Sequence, residues 1–310
     1  MKRFITNILL FVLPSMSVLA VIDYFYSKAA VKSNVDEIEA WYDLMHGQID
    51  ADVIVMGNSR ACFHVNPLIL DSILGTSTYN IGMDGSWINR QIHKYNMFRK
   101  YNRKPKLIIQ TIDHMSLKYA YGYLMEQYFP YFWNKAMRDE VLSHEPLTPW
   151  EKYIPMYRFY RRYDCAKMYN LLDSTSHLMI KGYIGMEKPW DGSTLRKLKT
   201  ISFEYSDTTK AMFDDYLAKA KSEGIRVVFV YTPHYIEVKE KMDNWEEMRT
   251  TYQGFADKYG ISILDYSDMT FCSDTTFFYN AMHLNKKGSE MFSDSLAHDL
   301  IRLRLYEKNN

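Results

Sequence analysis

The sequence predicts an α/β fold in which helices cover both faces of a five-stranded parallel sheet, and three observations carry that expectation. Short apolar runs rich in Val and Ile recur without polar alternation, as strands buried on both faces do. Segments of helical periodicity fall between them. Two of those segments stop at a glycine just before the next apolar run, the usual left-handed end of a helix.

In order, strands are expected at 52–57 (DVIVMG), 77–82 (STYNIG), 106–112 (KLIIQTI), 225–231 (IRVVFVY) and 261–265 (ISILD). INRQIHKYNMFRKY is the helix between the second and third strands. TKAMFDDYLAKAKSEG, ending at Gly224, leads into the fourth, and NWEEMRTTYQGFADKYG, ending at Gly260, into the fifth. The result is a doubly wound, flavodoxin-like three-layer α/β/α arrangement, whose ligand groups belong at the carboxyl ends of the strands. NVDEIEAWYDLMHGQ, ahead of the first strand, reads as a linker-like amphipathic stretch.

Residues 114 to about 200 break this rhythm, because they are too many for an ordinary crossover. They form an insertion with fifteen aromatic residues between Tyr119 and Tyr169, among which Arg158, Arg161 and Arg162 are interleaved. A helical lid over the strand ends is one expectation, and a helical subdomain that widens the core is the other.

The N-terminus places Lys2 and Arg3 ahead of an apolar stretch from Phe4 to Ile22, closed by Asp23 and the aromatic trio Tyr24, Phe25 and Tyr26. Such a stretch nearly crosses a hydrocarbon layer of ~30 Å, and Pro14 is tolerable within a single span. With the positive charges inside, the rest of the chain is expected outside the cytoplasm. A cleaved signal peptide, with Val18-Leu19-Ala20 before the cut, is the competing reading. Residues 1–27 are thus an anchor or signal segment, and 28–310 the α/β domain.

Length and composition fit this plan: 310 residues at 47% apolar content are ample for a core. Lys plus Arg number 38 against 37 Asp plus Glu, a balance that offers no field for nucleic acid. Cys62, Cys165 and Cys272 show neither metal-site spacing nor an even count, so isolated thiols are expected. No histidine spacing suggests a metal ligand set, and GMDGS has too few glycines for a dinucleotide loop. No cofactor is expected.

The chemistry centres on GNSR, where the first strand runs into Ser59. A serine there can present its hydroxyl to the crevice and its amide to an anion at the start of the next helix. It still needs a base. His283, in FFYNAMHLNKKGSEMF, is the histidine in a comparable place, and Asn280 lies three residues before it, within reach of its imidazole.

With YNIGMDGS after the second strand, these segments make three blocks that resemble the SGNH, or GDSL-like, hydrolase superfamily, in particular its membrane-anchored branch related to the D-alanyl transfer protein of lipoteichoic acid synthesis and to alginate acetylation proteins. GNSR resembles the first block, with Ser59 in the nucleophile position. YNIGMDGS resembles the second, where Gly82 or Gly85 would supply a backbone oxyanion donor beside the amide of Ser59. NAMHLNKKG resembles the closing Asp-x-x-His block and matches His283 to its histidine. The resemblance covers 52–113 and 225–300 and leaves the insertion unmatched.

The chain departs from that pattern twice. Asn280 stands where the family has an aspartate, and an amide can orient an imidazole but cannot stabilise the imidazolium by charge. Asp274 and Asp113 are the carboxylates that would substitute. The third strand ends in TIDHMS, with Asp113 where an asparagine usually donates to the oxyanion. A carboxylate there must point elsewhere, be protonated, or serve another role. Arg60 either binds an anionic part of the substrate or pairs with Asp84 or Asp113. His234, ending the fourth strand in VYTPHY, either reaches the crevice or is a hydrogen-bonded loop histidine.

The resemblance implies an exported, membrane-tethered serine esterase or O-acyltransferase acting on acyl, foremost acetyl, esters of an envelope glycan or acylated polymer, with a membrane-bound O-acyltransferase as a candidate partner. The alternative is a catalytically impaired envelope protein of the same fold that binds polysaccharide or that partner.

Overall fold

All five expected strands form one parallel sheet: β1 Val53–Met56, β2 Thr78–Asn80, β3 Leu107–Thr111, β4 Arg226–Tyr231 and β5 Ser262–Asp265, in the order β2-β1-β3-β4-β5. The computed structural model describes residues 2–118, 125–144, 147–173 and 179–306. Pairing is parallel throughout, with Ile54 opposite Tyr79 on one side and Ile108 on the other. From β1 the chain steps outward to β2 and then crosses back to β3 on the other side, so the crevice beyond the carboxyl ends of β1 and β3 is where a ligand would settle.

Alternate strand residues serve two apolar layers. Val53, Val55, Ile109, Val228 and Val230 pack with Leu70 and Leu74 of the helix Pro67–Leu74 and with Phe292, Leu296 and Leu300 of the helix Lys286–Arg302. On the opposite face Phe229 stacks on Phe213 of Asp207–Ser222 at 5.6 Å and meets Tyr252 of Trp245–Tyr259 at 6.1 Å. Both Gly224 and Gly260 are left-handed at the ends of their helices, each at φ +70°.

By internal contacts the chain forms two compact units: the sheet unit, 44–118 with 179–306, and a second made of residues up to Asp43 with 125–173. The second unit contains the helix Lys2–Ala30 and short helices at Lys135–His144, Pro149–Tyr153, Tyr157–Arg162 and Cys165–Asn170. Lys2–Ala30 is long and apolar enough to cross a membrane by length and composition, with a mean hydropathy of 2.2 over its most apolar window and no residue of that window buried. Asp23 ends the apolar stretch and is fully buried, bound by Arg158 at 2.5 and 2.6 Å and by Trp133 Nε1 at 2.9 Å. Of the aromatic run, Tyr119, Tyr121 and Tyr123 lie outside the described residues.

The stretch read as linker-like is packed instead. Ile38 and Trp41 are fully buried, and Trp41 Nε1 donates to Gln127 Oε1 at 2.6 Å. Polar residues around an amphipathic segment suggest a tether only until a partner for its apolar side is found, and here that partner is about ninety residues away.

Candidate active site

The turn after β1 is built for close approach. Gly57 has φ +149°, and a Cβ there would lie 1.9 Å from Thr111 Oγ1. Asn58 then caps the helix Ser59–His64, its Oδ1 accepting from Arg60 N at 3.1 Å while its Nδ2 donates to Asp113 at 2.5 Å. Asn80, at the end of β2, donates to the carbonyls of Ala61 and Val65 at 2.7 and 2.9 Å. The helix that carries Ser59 is therefore fixed from two neighbouring strands.

His283 comes from a small antiparallel ladder, β6 Phe278–Asn280 and β7 His283–Leu284, in which Asn280 pairs with His283. Asp191 N donates to Tyr279 O at 2.8 Å and Tyr235 N to Ala281 O at 3.0 Å, which braces this hairpin. The imidazole stacks on Tyr279 at 5.4 Å and 7°, with the rings of Phe63 and His64 edge-on at 5.7 and 5.8 Å.

These two elements bring Ser59 Oγ to 2.8 Å from His283 Nε2. On the other side of the ring, Nδ1 lies 3.1 Å from Asn280 Oδ1, which also accepts from Met282 N at 2.9 Å. An amide oxygen can only accept, so the ring proton sits on Nδ1 and the Nε2 lone pair faces the hydroxyl. This is the tautomer a general base needs.

Arg60 is buried, yet its guanidinium makes no ion pair among the described residues and its Nη2 has no hydrogen-bond partner. Neither Asp84 nor Asp113 forms the contact expected of it. Burial, and then the Arg60 charge, hold His283 down to about 3, Asp113 opposing them weakly, so the imidazole is neutral throughout the ordinary pH range. Burial lowers Arg60 itself, and Asp113 acts the other way.

Asp113 is occupied elsewhere. Besides Asn58 it accepts from Met115 N, Ser116 N and Ser116 Oγ at 2.8, 2.9 and 3.1 Å. Burial would raise its pKa, but the charges of Arg60 and His114, with these donors, hold it below the ordinary carboxylate value. It anchors the Asn58 turn and makes no hydrogen bond to His283. Asp274 does not back the imidazole either: it is exposed and caps the turn Thr275–Phe277 through Thr276 N. Its closeness in sequence to His283 was the only signal for it.

Of the expected oxyanion donors, Gly82 is already used, its N–H donating to Asn80 Oδ1 at 2.9 Å. Gly85 sits at φ +58° with its amide directed at the Asp84 carboxylate. The amide of Ser59 has no acceptor among the described residues. His234 is buried and makes no hydrogen bond of normal geometry, although the Thr232 carbonyl lies near enough to favour its protonated form. It lines a cavity of about 10 Å³ behind Arg60, with His114 and Tyr231, and makes no hydrogen bond to Ser59 or His283.

His64, which stands in no motif, lies beside His283. Its Nε2 accepts from Leu284 N and its Nδ1 faces Thr232 Oγ1, both at 3.1 Å, so it ties the backbone beside His283 to β4. Burial first, then the charges of its neighbours, hold it well below the ordinary histidine value, which keeps Nε2 free to accept. His177 and the side chain of His144 lie outside the described residues. The three cysteines are free, and among the described residues no group of three His, Cys, Asp or Glu is placed to hold a metal ion.

No family model and no curated protein matches the chain. Among solved structures it is similar to a chain assigned as a lipolytic protein of the G-D-S-L family from Desulfitobacterium hafniense DCB-2, at 12% identity and a TM-score of 0.42 over 80% of this chain and 99% of that one. It is also similar to a nominal acylhydrolase from Bacteroides fragilis NCTC 9343, at 11% identity and a TM-score of 0.41 over 88% and 97% of the two chains. A third likeness is to a nominal lipase from Chitinophaga pinensis DSM 2588, at 11% identity and a TM-score of 0.41 over 83% and 100%.

Proposed function

We propose that this chain is an SGNH, GDSL-like serine esterase or O-acyltransferase of the membrane-anchored branch, acting on acyl, foremost acetyl, esters of a cell-envelope glycan or polymer. The observation that carries the reading is the 2.8 Å approach of Ser59 Oγ to His283 Nε2, with the second ring nitrogen on Asn280. The helix Lys2–Ala30 would tether the chain to a membrane, where a membrane-bound O-acyltransferase would be its partner.

In this mechanism Ser59 Oγ attacks the ester carbonyl carbon as its proton passes to His283 Nε2. The Ser59 amide donates to the carbonyl oxygen as it gains charge. The bond to the alcohol oxygen then breaks, and the imidazolium returns the proton to that leaving oxygen. Water, or a sugar hydroxyl, attacks the acyl-serine in turn, giving its proton to His283, and Ser59 is released with its hydroxyl restored. The first acceptor makes an esterase and the second a transferase.

A second reading is favoured by one specific observation. His283 has no carboxylate behind it and faces the Arg60 charge, so the imidazolium that must form in the transition state is poorly stabilised. A catalytically impaired protein that binds polysaccharide or the acyltransferase with the same crevice follows from that. Steady-state hydrolysis of p-nitrophenyl acetate by the full chain separates the two. An enzyme shows turnover that Ser59→Ala and His283→Gln both abolish, whereas a rate equal in wild type and Ser59→Ala sinks the enzymatic reading.

A further inference from the structure

The apolar stretch of Lys2–Ala30 ends at Ile22, and the next residue, Asp23, opens a pocket of about 170 Å³ within its own unit. Phe132, Trp133 and Tyr153 form apolar walls, and Trp133 and Tyr153 are 49% and 78% exposed. Tyr24 stands edge-on to Trp133 at 5.6 Å, so the aromatic rim runs back onto the helix itself. Rings of this kind at the end of an apolar span mark headgroup depth in a bilayer.

Among the described residues the charges in the pocket do not cancel. Asp23 and Arg158 neutralise each other as a buried, bidentate pair, and the Asp23 oxygens are taken further by Trp133 Nε1 and Met156 N. Arg138 and Lys152 remain, both half-buried in the lining and neither in an ion pair among the described residues. Two cations with no ion-pair partner among the described residues, set between aromatic walls, are complementary to a phosphate, which the guanidinium can take bidentately and the ammonium as a point charge.

We propose that this pocket binds the phosphate of an anionic phospholipid headgroup, held between Arg138 and Lys152, with the acyl chains lying along the apolar surface of Lys2–Ala30. The membrane is favoured over a soluble phosphate source because the pocket begins one residue beyond the apolar run and shares its aromatic rim. The inference rests on the membrane-span reading of that helix and is independent of the chemistry at Ser59.

The test uses the full chain in a mild neutral detergent, loaded with equal phosphatidylglycerol and phosphatidylcholine, with retained lipid counted by native mass spectrometry. Wild type is expected to retain phosphatidylglycerol over phosphatidylcholine by roughly tenfold, as two cations beside an anionic headgroup would give. Arg138→Gln with Lys152→Gln brings that ratio near one, while Arg161→Gln, exposed and outside the pocket, leaves it unchanged. Equal retention by wild type, or an unaltered preference in the double variant, overturns the site. Complete displacement of phosphatidylglycerol by millimolar inorganic phosphate would assign the pocket to free phosphate and overturn the lipid reading. Flotation with vesicles of phosphatidylcholine alone checks the span separately: wild type and double variant should float equally, and a chain that does not float overturns both readings.

Discussion

His283 Nδ1 faces Asn280 Oδ1 at 3.1 Å, so the imidazole opposite Ser59 is oriented by an amide and not by a charge. The arrangement holds the right tautomer but does little to stabilise a proton on the ring. With Arg60 nearby, the same ring is pushed down to about 3 by burial and by that charge.

Asn280→Asp is therefore expected to raise turnover. A carboxylate at that distance favours the imidazolium, and in a chymotrypsin-like triad the reverse exchange costs about 10⁴-fold in kcat, which sets a ceiling on the gain. The pH profile should change with it. In wild type kcat/KM should be flat from neutrality down to about pH 4, because the base is already neutral, with its acid limb near 3. In Asn280→Asp the limb moves up toward the ordinary histidine range. Initial rates on an aryl acetate across pH check this, and an unmoved limb would show that Asn280 does not act through the ring.

Acid should destabilise the fold sooner than carboxylate titration alone would require. His283 and His234 are held at about 3 and His114 at about 4, burial being the first cause in each, against 6.5 in the unfolded chain. Below about pH 6.5 the unfolded chain takes up protons that the folded one refuses, so stability is full above that value and is lost as pH falls toward 3–4. Each such group contributes a slope of about 1.4 kcal/mol per pH unit within the window. Urea midpoints at pH 7.5, 6 and 5 should fall steadily, and equal midpoints would mean these histidines titrate normally.

Gly57→Ala should cost about 2–4 kcal/mol, combining strain at a positive φ with overpacking. At φ +149° the new methyl would meet Thr111 Oγ1 at 1.9 Å and Ala61 Cβ at 3.0 Å, so β3 or the Ser59 helix must shift. Thermal unfolding measures the loss, and an unchanged midpoint would show that the turn relaxes freely.

What the sequence made legible is local. Ser59, Asn280 and His283 each stand at a strand end or in a short hairpin, and the expected bounds of the five strands, several of them apolar runs without alternation, fall within a residue or two of the observed ends. Contacts made across the sheet were hidden. Gly82 looks like a donor until Asn80, two residues earlier, turns its amide oxygen back onto it. His64 carries no motif, and its role depends on Leu284, 220 positions away. Asp113 is drawn off by Asn58 and Ser116, an outcome that follows from the shape of the turn after β3 and not from residue type.

Active-site labelling reads out the assignment of the Ser59 hydroxyl as a nucleophile served by His283. The full chain, treated with a fluorophosphonate and digested, should carry the phosphonyl adduct on the peptide containing Ser59, with none on Ser59→Ala and a much slower reaction in His283→Gln. An adduct that forms at the same rate in Ser59→Ala, or wild type that stays unlabelled under conditions that saturate a known serine esterase, would contradict it.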